Sequence, residues 1–215
     1  NSLEEVQPHL FANADFAGCP ATQRSTSGLH LCIRGTKTCF PIAGQSKRQG
    51  CLSHSTPEAE IVAADFGLRL SGLPALNLWH VLLPHQPPLF FHEDNQAMIH
   101  VVTTGRNPTM RYLHRTHRVS VSWLHEVCVW MYEDSAKMAA DIYTKGFTDK
   151  AKWEQVCGLI NEIDPKFLLE NYVLLHLVHA PPSDGGGFLN GLKLRKAFQV
   201  RLVGTKMRTG VPSVW

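Results

Sequence analysis

FANADFAG, residues 11–18, is the stretch from which the rest of the chain is best interpreted. Its apolar first half continues a strand that we predict over residues 9–16, and the glycine at its end begins a turn. Asn13 and Asp15 are two residues apart, so on a strand their side chains point to the same face. Both are candidate functional groups, and the other motifs of the chain decide between them.

Composition limits the class of protein. The chain has 215 residues, of which 44% are hydrophobic and 18% charged, which is enough for one well-buried domain plus an appendage, or for two small domains. Its longest apolar candidate, residues 167–178, is interrupted by Glu170, Asn171 and His176, so we expect no membrane span and no membrane partner. The chain begins with Asn and has no signal segment, which suggests a fragment of a longer protein or a processing product.

The six cysteines contain no C-x-x-C pair and no zinc-finger spacing. A disulfide framework is not expected in a chain of this length without a secretory signal. We therefore expect reduced cysteines in an intracellular protein, cytoplasmic or nuclear and not secreted.

The order of predicted elements indicates a mixed sheet with helices on it. Three strands, at 9–16, 29–34 and 38–46, are joined by short turns, and Pro41 predicts an edge position or a bulge in the third. The remaining elements alternate between helix and strand. They are a helix from Ser55 or Thr56 that Gly72 and Pro74 interrupt, a strand in 87–94, a helix closed by Gly105, a helix that begins with Asn107 and Pro108, a strand at 127–132, a helix at 133–145 and a further amphipathic helix at 148–164.

Acidic residues recur where these strands end or helices begin. They are Asp15, Glu58, Glu60, Glu93, Asp94 and Asp141. Carboxylates that converge on one sheet suit two Mg²⁺ ions about 4 Å apart, which together activate a water and stabilise a leaving oxygen. Ordinary roles remain open: Ser55-x-x-Glu58 fits a capping box, Asp94 and Asp134 fit N-caps, and Asp141 fits a solvated helix position.

Five stretches in this order resemble a known family. They are ADFAGCPATQRSTSG (14–28), SKRQGCLSHSTPEAEIVA (46–63), HEDNQAMI (92–99), RTHRVSVSWLHE (115–126) and KMAADIYTK (137–145). Over about residues 8–147 the chain resembles the ribonuclease H domain at the end of the Pol polyprotein of copia-type LTR retrotransposons. The resemblance implies an α/β ribonuclease H-like fold with a five-stranded mixed sheet in the order 3-2-1-4-5. It also implies an endonuclease that hydrolyses the RNA strand of RNA–DNA hybrids during reverse transcription, with two Mg²⁺ or Mn²⁺ ions and a neighbouring reverse transcriptase domain.

Matched to the family pattern, Glu60, Asp94 and Asp141 are the expected metal ligands, whereas Glu58 keeps its capping role. The first ligand position of the family falls on Asn13, whose amide brings no charge to a metal. Asp15 lies about 6.6 Å further along the strand, at ~3.3 Å per residue, so it cannot substitute for that ligand and is expected to brace the following turn. The segment 126–133 also leaves almost no loop between helix and strand, so we expect either an early end of the helix or a distorted strand, which would displace Asp141.

Basic side chains are the candidates for contacts with a nucleic acid backbone. They are Lys47, Arg48, Arg106, Arg111, Arg115 and Arg118. Arg111, Arg115 and Arg118 are predicted to share one helix face, for which a plain solvated face is the alternative. Three histidines, His114, His117 and His125, are candidates for proton transfer or for packing.

Residues 1–147 are expected to form the ribonuclease H-like domain, and residues 148–180 a helical extension. Residues 181–215 are expected to be a poorly ordered basic tail that starts with Pro and Gly residues; six Lys and Arg residues against one Asp leave it at +5. Because of Asn13 we expect hybrid cleavage to be weakened or lost. The alternative is a non-catalytic nucleic-acid-binding module or a structural remnant of the polyprotein.

Overall fold

The structure is a computed structural model that describes residues 5–82, 87–107 and 109–165. Its sheet has the order β3-β2-β1-β4-β5. The strands are β1 Gln7–Asp15, β2 Thr26–Gly35, β3 Thr38–Arg48, β4 Phe90–Glu93 and β5 Val129–Tyr132. The first three pair antiparallel as a meander, whereas β4 runs parallel to both β1 and β5. The five-stranded mixed sheet in the order 3-2-1-4-5, flanked by helices, is therefore confirmed.

Helical segments connect the later strands. They are α1 Thr56–Gly67, α2 Leu73–Leu82, α3 Gln96–Thr104, α4 Leu113–Thr116, α5 Val121–Val127 and α6 Lys150–Leu159, with 3₁₀ segments at Ser135–Lys137 and Ala139–Tyr143. A π-helical segment, Leu68–Gly72, joins α1 to α2. We predicted an interruption at Gly72 and Pro74. In the structure the helix is locally wider there, but the helical conformation continues without a break.

Alternation along the central strands divides the core between the two faces of the sheet. Leu10 of β1 and Leu29 of β2 pack with α1 in the larger cluster. Phe11 and Cys32 point the opposite way and pack against Met138–Ala140 in a smaller cluster. This two-sided burial follows from the period of two along a strand.

β3 lies at an edge of the sheet and contains a bulge. Its register with β2 shifts between Leu31 and Cys32, so that Ala43 pairs with Leu31 and Pro41 with Cys32, leaving Ile42 as the extra residue. Pro41 predicted an edge position or a bulge for this strand, and the structure confirms both.

Two of the helix predictions are wrong, since the structure divides one of these helices and has 3₁₀ segments in place of the other. The helix expected after Asn107 is divided into α4 and α5, because Arg118 has a left-handed φ of 58° that no helix continues through. The helix expected at 133–145 is a pair of 3₁₀ segments, separated by Met138 with an extended ψ of 95°. Pro108, predicted at the first helical position, lies outside the described residues.

The connection between α5 and β5 is a single residue, Cys128, in an extended conformation. β5 is nevertheless regular: Phe90 of β4 pairs with Val129 and Glu93 with Tyr132 in an unbroken parallel register. α5 therefore ends early enough for β5 to begin without distortion.

α6 packs against the same compact unit as the strands, which extends to residue 165. Val156 is buried, and Gln155 Nε2 donates a hydrogen bond to the Ala136 carbonyl. Within the described ranges no helix is long and apolar enough to cross a membrane. The segment 181–215 predicted as a tail lies outside the described residues, as does the part of 148–180 beyond residue 165.

Candidate metal centre

Glu60 is placed by the start of α1. Ser55 is the N-cap, and its Oγ accepts a hydrogen bond of 3.4 Å from the Glu58 amide, with Pro57 in the first turn. α1 then lies across β1 and β2, which buries the Glu60 side chain beside the end of β1. The nearby Ala14 backbone lowers the pKa of this carboxyl group, against the larger effect of burial.

Two further carboxylates follow from the end of β4. Glu93 is the last residue of the strand and is fully buried, and its Oε1 accepts from the Asn95 amide at 3.0 Å. Asp94 follows at once and is half-buried. Asn95, and not Asp94 as the sequence suggested, is the N-cap of α3, since its side chain accepts from the Met98 amide. Asp94 is thus left without the capping role.

The carboxylate oxygens of Glu60, Glu93 and Asp94 come together, with one oxygen of each within 4.8 Å of the other two. Burial raises the pKa of Glu60 well above its usual range, and the charges of Glu93 and Asp94 raise it further. Burial also raises the pKa of Glu93 to about 8, with Asp94 adding to the rise. The ionised forms of these acids are therefore unfavourable side by side, and a proton or a cation would stabilise the cluster.

Asp141 lies close to this cluster but is not one of its three members. It lies in the 3₁₀ segment Ala139–Tyr143, and the Lys145 ammonium is 2.8 Å from its carboxylate. Burial raises the pKa of Asp141, Lys145 lowers it, and the charge of Asp94 raises it. The same ammonium also lowers the pKa of Glu60. The charge of Lys145 therefore acts on two of the acids, Asp141 and Glu60.

Asn13 and Asp15, the two polar residues of the stretch FANADFAG, contact different parts of the chain. Asn13 is buried, and its Nδ2 donates a 2.7 Å hydrogen bond to Thr144 Oγ1, which ties β1 to the end of the 3₁₀ segment. The Asp15 carboxylate lies over Gly18, where an added Cβ would overlap it. Asp15 thus packs on the turn after β1, as the sequence suggested, and is not one of the three clustered acids.

The six basic candidates are all exposed. Lys47 and Arg48 end β3, and the Lys47 ammonium lies 5.5 Å from the centre of the Phe66 ring. The single helix face predicted for Arg111, Arg115 and Arg118 does not exist, because α4 contains only Arg115 and Arg118 lies in the turn that ends it. Arg106 lies just after α3.

Sequence reasoning missed several contributors. Glu93 was set aside in favour of Asp94, and Lys145 was not considered, although a lysine four residues after an acid is a recognisable signal. Glu58 does not reach the Ser55 amide of the predicted capping box and accepts instead from the His54 amide, the Tyr112 hydroxyl and His117 Nε2. No local pattern predicts those last contacts, since they join segments more than fifty residues apart.

The chemistry of the three acids fits a hard divalent cation. Carboxylate oxygens are the ligands that Mg²⁺ and Mn²⁺ take, and in this cluster Glu60 Oε2 and Glu93 Oε2 are buried without a hydrogen-bond partner. Buried carboxylate oxygens are seldom left in that state. The residues present therefore suit a metal.

Comparison with models of protein families finds no match. Comparison with curated protein sequences finds none either. Solved structures of ribonuclease H domains are similar in fold. RNase H1 from Halobacterium salinarum is 15% identical, with a TM-score of 0.46, over 64% of this chain and 94% of that one.

The N-terminal RNase H domain of a Mycobacterium tuberculosis protein is 11% identical, with a TM-score of 0.44, over 65% of this chain and 91% of that one. The foamy viral protease-reverse transcriptase, solved with dsDNA, is 13% identical, with a TM-score of 0.39, over 65% of this chain and 88% of that one. At such identities and TM-scores these likenesses carry no argument, and function is argued from the residues of the site.

Proposed function

We propose that this chain is a ribonuclease H-like domain of a copia-type retrotransposon Pol polyprotein, with RNA–DNA hybrids as its substrate and a neighbouring reverse transcriptase domain as its partner. The observation that carries the proposal is the meeting of Glu60 and Asp94 at the ends of α1 and β4, with Asp141 close by. These are the acids that the family resemblance assigns to metal binding. When bound, two divalent cations, Mg²⁺ or Mn²⁺, supply an activated water and stabilise the leaving oxygen.

Two features of the site weaken hydrolysis. Asn13 places a neutral amide where the family has a carboxylate, and that amide is already engaged with Thr144. Lys145 neutralises Asp141 at 2.8 Å. The site therefore offers less negative charge to two cations than the family's four acids do, and we expect the second cation to bind poorly.

Hybrid cleavage in Mg²⁺ is the direct test, with the natural chain compared with Asn13→Asp. We expect the variant to cut at least about tenfold faster, because it restores a charged ligand to β1. Asp15→Asn is the matched control, since it changes a carboxylate on the same strand that packs on the turn. Equal rates for the natural chain and Asn13→Asp would show that Asn13 does not limit the reaction.

A non-catalytic hybrid-binding module is the second candidate, and the Asp141–Lys145 ion pair favours it. It predicts that neither the natural chain nor Asn13→Asp cuts, while both bind hybrids with an affinity that falls steeply with salt. Replacing one contacting residue, such as Arg48, by Ala should then reduce the slope of log K against log salt by about 1. A slope unchanged in each of the six basic positions would remove this candidate.

A further inference from the structure

We propose that the chain binds one divalent cation through Glu60, Glu93 and Asp94, and that Glu93 supplies the carboxylate that β1 lacks at Asn13. This inference deepens the proposed function, on which it rests for the kind of site. The family resemblance gives Glu93 no role. Its assignment comes from where the end of β4 places the side chain.

The geometry suits a single ion. In an octahedral Mg²⁺ site the oxygens on opposite sides of the metal are about 4.2 Å apart, twice the metal–oxygen distance. The oxygens of Glu60, Glu93 and Asp94 all lie within 4.8 Å of one another, so small side-chain adjustments bring them to ligand positions. Waters would complete the shell, as Mg²⁺ commonly keeps several.

Two buried oxygens lack a partner that a cation would provide. Glu93 is 0% exposed and Glu60 is 3% exposed, yet Oε2 of each accepts no hydrogen bond. The Asn95 amide holds Glu93 Oε1 at 3.0 Å, which restrains the carboxylate and leaves Oε2 for a metal. Leaving such groups unpaired is costly, and a shared cation relieves both at once.

A second ion would depend on Asp141 and Asn13, which are less suited to bind a cation than the three clustered acids. Asp141 Oδ1 is also buried without a hydrogen-bond partner, but the Lys145 ammonium lies 2.8 Å from it, and the Asn13 amide donates to Thr144. Asp141 thus offers a carboxylate that already has an ammonium partner and Asn13 offers none, whereas Glu60, Glu93 and Asp94 each bring a carboxylate oxygen to the same place. One ion per chain is the stoichiometry that this distribution of charge supports.

Metal binding to the full chain tests the inference without reference to cleavage. Mn²⁺ is titrated into metal-free protein, with free Mn²⁺ followed by electron paramagnetic resonance and Mg²⁺ binding by calorimetry. We expect one ion per natural chain, binding at least about tenfold weaker in Glu93→Gln, and unchanged binding in Asp15→Asn. Glutamine keeps an acceptor for the Asn95 amide, so thermal melting without metal should show Glu93→Gln folded.

A rescue variant separates a ligand from a structural residue. Asn13→Asp added to Glu93→Gln should recover affinity, because it returns a carboxylate to the site; an effect through structure alone would not be recovered. Two ions per natural chain, unchanged affinity in Glu93→Gln, or no rescue would each overturn the proposal. The failure of this inference can be told from the failure of the proposed function. If Asp94→Asn weakens metal binding and Glu93→Gln does not, only this inference fails. If one ion binds as expected and no variant cuts hybrids, only the proposed hydrolysis fails.

Discussion

Glu58 holds together parts of the chain that are distant in sequence. Its side chain is fully buried and accepts from the His54 amide and the Tyr112 hydroxyl through Oε2, and from His117 Nε2 at 3.0 Å through Oε1. The sequence predicted a capping box, in which the glutamate reaches the N-cap amide of Ser55. In the structure it reaches one residue further back and also anchors α4 to α1.

Glu58→Ala should therefore lower the free energy of unfolding by about 3 kcal/mol, because it leaves the half-buried Tyr112 hydroxyl and the buried His117 ring without their acceptor. Urea unfolding followed by circular dichroism measures this. Glu154→Ala is the matched control: Glu154 forms an exposed ion pair with Lys150 at 3.6 Å, and its loss should change stability by less than about 0.5 kcal/mol. Similar losses in both variants would contradict the anchoring role.

The site could be predicted residue by residue only where a motif and an element end coincide. Glu60 follows a helix start and Asp94 a strand end, and the structure brings these two together. Glu93 was missed as a ligand because the family resemblance assigns metal binding to the adjacent Asp94 alone. β4 ends at Glu93, the alternation ends with it, and the two adjacent carboxylates are free to converge.

At the scale of elements, two glycines let the segment Ala139–Tyr143 lie directly on the sheet. A Cβ at Gly28 would come within 3.0 Å of the Ala140 carbonyl oxygen, and one at Gly44 would overlap the Tyr143 hydroxyl. Tyr143 in turn stacks on His30, with its hydroxyl 3.2 Å from His30 Nδ1. The position of Asp141 within this segment thus depends on the absence of a side chain at Gly28 in β2 and at Gly44 in β3.

Gly44→Ala should lower the free energy of unfolding by about 1–3 kcal/mol, because the new methyl displaces the Tyr143 ring. Chemical denaturation gives the value. Gly50→Ala serves for comparison, since a Cβ there meets nothing within 4 Å, and it should stay within about 0.5 kcal/mol of the natural chain. A neutral Gly44→Ala would mean that the segment does not rest on this position.

Strands were predicted more reliably than helices, for a physical reason. The meander shows its period of two within each strand, so β1, β2 and β3 are visible locally. Over a few residues, however, 3₁₀ and α spacing are nearly indistinguishable, and the segment 133–145 fits both. Whether Arg118 adopts a left-handed conformation is decided by the packing around it, which no local pattern contains.

For the whole molecule, two buried histidines and one half-buried histidine predict a loss of stability in acid. Burial lowers the pKa of His9 and His30 to about 4 and that of His92 to about 3. The unfolded chain takes up these protons near pH 6.5, whereas the folded chain does not until pH 4 or below. The unfolded state therefore binds more protons in between, and stability falls as the pH falls through this window.

His30→Gln should flatten this dependence by up to about 1.4 kcal/mol per pH unit between pH 4.5 and 6, the value for one proton. Glu93 acts with the opposite sign, because its raised pKa favours folding as the pH falls from about 8, so slopes of variants are compared and not absolute stabilities. His100→Gln, at an exposed position of α3, should keep the natural slope. Equal slopes for the two variants would refute the assignment.

The sheet order needed more than local patterns. That β4 inserts beside β1 is a relation between residues such as Phe11 and His92, eighty-one positions apart in the sequence. The element order indicated only a mixed sheet with helices, and the order 3-2-1-4-5 came from the family resemblance.

The irregular edge formed by β3 bears on how copies of the molecule behave in concentrated solution. Phe40 and Ile42 are 62% and 43% exposed on an outer strand, a combination that invites pairing with another chain. Pro41 between them has no amide hydrogen to donate, and the bulge at Ile42 breaks the spacing that a docking strand would need. The same irregularity that the sequence signalled as a local defect thus protects the molecule from edge-to-edge aggregation.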